Sequence, residues 1–146
     1  MKPSSLFRLN ALVLLAAGIA FALYGPLMMA LFAVPELLSI DSATYWQITS
    51  FARMFGAALF GFGLLLWSLR NSIDTFTPAV QRQIIAALVL ANLMSAFVSI
   101  TQQSAVWGTA AGWICTAVFG LFTLAYIFLI FKLPSKALEE LKEKES

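Results

Sequence analysis

One cation stands inside an apolar stretch. It is Arg53, in the run Tyr45 to Arg70, YWQITSFARMFGAALFGFGLLLWSLR. A guanidinium left in hydrocarbon costs about 2.5 kcal/mol or more, so a partner or a wet path is expected for it. Two chemistries fit. In one, Arg53 is structural, snorkelling to the interface and tied to Glu36 or Asp41, the acids of the preceding loop. In the other it binds an anion or handles a proton, since charges inside a membrane are functional candidates by default. A second polar set lies further along: Asn92, Ser95, Ser99 and Gln102 recur at intervals of three, four and three, which places them on one helical stripe. Facing lipid, that stripe would be unfavourable. It is expected to face the interior, as hydrogen-bond glue between helices or as the lining of a small polar cavity. Arg53 with Asn92, Ser95, Ser99, Gln102, Glu36 and Asp41 is therefore the candidate ligand-binding set, suited to an anionic lipid headgroup or a quinone oxygen.

Other chemistry has no residues to carry it. The chain has no histidine and one cysteine, Cys115, which excludes most metal sites, histidine acid/base chemistry and a disulfide within the chain. Gly61 and Gly63 sit in an apolar run and not between a strand and a helix, so they are no phosphate-binding loop. No paired carboxylates stand inside an apolar run. The net charge of +2 comes from dispersed bases flanking apolar runs, which gives no nucleic-acid surface. Neither a catalytic residue nor a metal or cofactor is expected.

The elements that must hold these residues are membrane helices. With 146 residues, 61% hydrophobic and 11% charged, and a mean hydropathy of +0.89, the chain is too apolar for a soluble domain. Four spans are predicted over about 9–34, 45–69, 83–102 and 107–131, followed by a charged tail over 134–146. Trp46 and Trp67 are separated by roughly 31 Å of helical rise, close to the thickness of a bilayer's hydrocarbon core, and mark the two interfaces of the second span. Gly25 and Pro26 should kink the first span. Ser42 or Thr44 is the expected cap of the second, and Thr77 with Pro78 opens the helix of the third. Thr101 to Val106 allows only a tight connection, so the third and fourth spans should be antiparallel neighbours. In the tail, Lys136, Glu140 and Lys144 support a short exposed helix.

Small residues supply the packing faces. Ala52 with Gly56 and Ala57 with Gly61 are small-xxx-small pairs in the second span. Ser104, Gly108, Gly112, Thr116 and Gly120 recur at strict four-residue intervals and predict a groove for another helix along the fourth. Every base outside the apolar runs falls on one side of a four-span topology, and Glu36 and Asp41 fall on the other. The positive-inside rule then makes both termini cytoplasmic, in a multi-pass protein of the inner (plasma) membrane, with Arg53, Ser99 and Gln102 in the outer half.

Arg53, Gly56, Gly61 and Gly63 in a leucine-rich helix resemble the pattern of the DoxX-like group of small bacterial four-helix membrane proteins. That group carries the pattern in its first helix, whereas here it is in the second. The resemblance implies a respiratory or redox accessory role near quinone. The residues themselves favour an all-α, four-helix transmembrane bundle that serves as an accessory, assembly or interaction subunit. Its expected partners are the bilayer and another membrane protein or a second copy. The alternative is a lipid- or quinone-binding redox accessory protein using the Arg53 pocket.

Overall fold

Pro3 begins the first helix because a proline at the first helical position gives up an N–H that would go unbonded there anyway. In a computed structural model of the protein, which describes residues 2–33 and 41–133, helix α1 runs Pro3–Leu23. The predicted kink is a break: Pro26 has no N–H for the Ala22 carbonyl, α1 ends at Tyr24, and a short helix α2 follows over Gly25–Leu31. Helix α3 spans Ser42–Leu69. Its cap is neither Ser42 nor Thr44 but Asp41, whose carboxylate accepts from the Thr44 N–H at 2.9 Å. A single 3-10 turn, Ile73–Thr75, leads to α4, Pro78–Gln102, where Thr77 accepts from the Val80 N–H as its cap.

The connection to the last helix departs from the expected loop. Helix α4 continues into a π-helical turn over Gln103–Trp107, Gly108 reverses the chain with φ of 61°, and Thr109 caps helix α5, Ala110–Lys132. Glycine takes that left-handed conformation without the Cβ penalty. Four of the five helices are long and apolar enough to cross a membrane, and no strand occurs among the described residues. The protein is an all-α, four-span membrane bundle.

Its helices pack as two pairs. Helix α1 lies along α3, and α4 along α5. In the first pair the backbones nearly touch: a Cβ on Gly18 would stand 2.5 Å from the Phe60 nitrogen, and one on Gly56 would overlap the Ala22 backbone and come within 2.8 Å of the Gly18 carbonyl oxygen. Such approach gives the dispersion contacts that hold helices together where burial from water contributes nothing. The pairs join at the end that carries Lys2, Arg8, Arg70, Arg82 and Lys132. Leu6, Phe7 and Ala11 of α1 meet Ile85 and Leu88 of α4 and Phe122, Tyr126 and Leu129 of α5 in one buried cluster there. The Ser4 N–H donates to Asp74, and Arg8 to the Asn71 side chain, so the start of α1 is tied to the turn before α4. At the opposite end the pairs touch through aromatic rings: Phe55 meets Phe21, Phe21 meets Phe32, and Phe32 meets Trp107 with centroids 4.7 Å apart. Helix α3 is the least covered of the four, with 17% of its most apolar stretch buried against 33% for α1.

Candidate functional site

Arg53 faces outward on α3. Its stem lies at the break between α1 and α2, with Cγ 3.4 Å and Nε 3.7 Å from the point where a Gly25 Cβ would stand; Thr49 Cγ2 is 3.6 Å from that point. Thr49, buried just behind it, donates its hydroxyl to the Tyr45 carbonyl at 2.9 Å and lies 3.3 Å from the Met29 sulfur. A Cβ at Gly25 would make only ordinary van der Waals contact there, so the arginine stem lies against the α1–α2 break without needing the glycine, and Thr49 and Met29 fix α2 to α3. Beside the arginine, on the adjacent outer face of α3, a shallow open hollow of about 490 Å³ is lined by Ala43, Trp46, Gln47, Ser50, Phe51 and Met54. Trp46, Ser50 and Arg53 fall at i, i+4 and i+7, on one helical face.

The polar residues of α4 are elsewhere. Asn92 is buried and donates to the Leu88 carbonyl at 2.8 Å, and Ser95 donates to the Ala91 carbonyl. Ser99 shares a 2.8 Å hydrogen bond with Thr116 across the α4–α5 contact. Gln102 is exposed; the buried amide is its neighbour Gln103, which donates to the Thr109 carbonyl at 3.0 Å. The buried face of α4 reads Gln81, Ile85, Leu88, Asn92, Ser99 and Gln103, a 3.6-residue period on which Ser95 and Gln102 lie one step to the side. Of these groups, Ser99 and Gln103 serve the α4–α5 contact.

The structure thus does not bring Arg53 to Asn92, Ser95, Ser99 and Gln102. Phe55 is the α3 residue that points into the aromatic line ending at Trp107. Arg53, two positions earlier, is rotated by roughly 200° from it and lies on the far flank. Asp41 is exposed, and the Thr44 side chain and N–H, which bond its carboxylate, hold its pKa below the ordinary value. Glu36 lies outside the described residues.

The packing residues divide in the same way. Gly56 sits in the α1–α3 crossing, as does Gly63, whose added Cβ would come within 2.9 Å of Leu15. Gly112 is covered by the Gln103 amide and the Trp107 ring, and Thr116 bonds Ser99 while donating to the Gly112 carbonyl. Gly61 and Gly120 face open space. Gly108 also faces open space and belongs to the reversal and not to α5, so the four-residue row of small residues is cut at the turn and forms no continuous groove.

One buried polar pair is invisible in the motif reading. Asn10 of α1 donates its amide to the Tyr126 hydroxyl of α5 at 3.0 Å, with both residues buried and the Phe7 ring edge-on to the tyrosine. The available signal is that Asn10 is the one amide in its apolar run. Family models, curated proteins and solved structures were compared with the chain, and none matches it.

Proposed function

We propose that the protein is a small non-enzymatic membrane subunit whose role is to pack against another membrane protein or a second copy of itself. The observation that supports this reading is the placement of α3: it is fastened chiefly to α1, through Gly18, Gly56 and Gly63, with α2 against Thr49, and much of its remaining surface is exposed. Gly61 on that uncovered surface has nothing within 4 Å of an added Cβ, and Ala57 one turn before it is exposed. A helix so placed meets either lipid or a partner helix, and small residues permit the close approach that membrane helices use. Both termini are proposed to be cytoplasmic, on the grounds that the end of the bundle holding Lys2, Arg8, Arg70, Arg82 and Lys132 is the basic one.

The test is cross-linking in native membranes. In a Cys115→Ser background, Ala57→Cys and Gly61→Cys should form a disulfide-linked dimer or a heterologous adduct, and a cysteine placed in the α1–α3 crossing should not. Recovery of nothing but monomer, by cross-linking and after mild-detergent purification, removes the reading.

A further inference from the structure

The described groups give Arg53 no acceptor: no hydrogen bond or ion pair joins its guanidinium to them, although its stem lies against Gly25. Five N–H donors on a cation require an acceptor in an apolar medium. The arginine lies roughly 10 Å along the helix from Trp46, and its side chain leans toward the start of α3, so the guanidinium rises toward the interfacial level of the indole. Met54, next to it in the chain, and Leu64, three turns further along the same face, are apolar and exposed, which is a surface for acyl chains. Beside the arginine is the shallow hollow that includes Trp46, Gln47 and Ser50, where the indole N–H and the Gln47 amide are further donors.

We propose that Arg53, whose stem lies against Gly25 beside that hollow, binds the phosphate of one membrane phospholipid. A phosphodiester brings one negative charge and planar pairs of oxygens that match the guanidinium fork, and its acyl chains run down the exposed face past Met54. Ala57 is one turn from Arg53 on the same helical face, and the two readings are separated by their variants: Arg53→Gln removes the guanidinium and leaves Ala57 and Gly61 in place.

Native mass spectrometry of the purified full chain tests it, with dioleoylphosphatidylglycerol and dioleoylglycerol, which share acyl chains and differ in the phosphate headgroup. The wild type should retain one phosphatidylglycerol at least about tenfold more than dioleoylglycerol, in line with the loss of a charge-assisted bond. Arg53→Gln should lower phosphatidylglycerol retention by about tenfold and leave dioleoylglycerol unchanged, with Arg53→Lys in between. Equal retention of the two lipids by the wild type overturns the proposal and needs no variant to fold. So does unchanged phosphatidylglycerol retention in Arg53→Gln, which assigns the arginine to an acid of the protein. Displacement of the lipid by millimolar inorganic phosphate assigns the site to the free anion instead. Loss of a co-purifying membrane protein without loss of lipid assigns it to a partner's carboxylate.

Discussion

The amide of Asn10 reaches the hydroxyl of Tyr126 across 3.0 Å, joining the first and last long helices inside a cluster otherwise made of hydrocarbon side chains. Removing one partner strands the other. Asn10→Ala and Tyr126→Phe should each destabilise the fold by about 1 to 2 kcal/mol, with a coupling of about 0.6 to 1.7 kcal/mol in a double-mutant cycle, the range of interhelical bonds in membranes. Unfolding in mixed micelles by added dodecyl sulfate reads all four corners of that cycle. Additive losses would mean that the bond does not join the two halves.

The glycines of α3 should behave in two classes. Gly56→Ala forces the α1 backbone aside, as does Gly18→Ala in the facing helix, and overpacking of this kind costs about 1 to 3 kcal/mol. Gly61→Ala meets open space and should be neutral or slightly stabilising to the monomer. The same unfolding titration separates them, and equal losses at Gly56 and Gly61 would contradict the α1–α3 crossing.

Gly112→Ala places a methyl group where the Gln103 amide oxygen lies. That oxygen has no hydrogen-bond partner among the described residues. The amide must swing out, losing its bond to the Thr109 carbonyl and loosening the turn between α4 and α5. Hydrogen exchange at the amides of residues 108–112 should rise in the variant, while exchange at the Gly18–Gly56 crossing stays unchanged.

Asp41 makes the start of α3 sensitive to acid. Its carboxyl pKa is depressed in the folded chain by the bonds from the Thr44 side chain and N–H. A depressed pKa means that the carboxylate's contribution is fully present above the unfolded value of about 3.9 and is lost as pH falls through the folded value. Protection of the first-turn amides of α3, measured against the intrinsic exchange rate at each pH, should therefore fall in acid below about pH 4. Asp41→Asn should keep a cap and remove that dependence, because the amide oxygen still accepts but does not titrate.

What could be read from the residues was whatever depends on composition and local chemistry. Four apolar helices, the Pro26 interruption, the Thr77–Pro78 start and the antiparallel pairing of the last two spans follow from hydropathy, a missing N–H and a short connection. The cap of α3 was misread by one residue, because Ser42, Thr44 and Asp41 are all competent and only the extended backbone at Asp41 decides between them. The polar stripe of α4 was misplaced by a single step. Stripes at 92, 95, 99, 102 and at 92, 99, 103 both satisfy a helical period, and the π-helical turn that buries Gln103 leaves no mark in composition. The grouping of Arg53 with that stripe failed for a different reason. Equal depth in a membrane does not imply contact, and which flank of α3 faces α4 is set by helix pairing over long distances along the chain.

The pairing of helices also has a temporal side. Every residue of the α1–α3 crossing has been synthesised by Leu69, before any of α4 exists, while α4 and α5 are joined by a turn of a few residues and can zip together as they emerge. The nascent protein can thus close one half in the bilayer before the second enters. What then remains is lateral docking of the two pairs through the cluster that holds Phe7 and Tyr126.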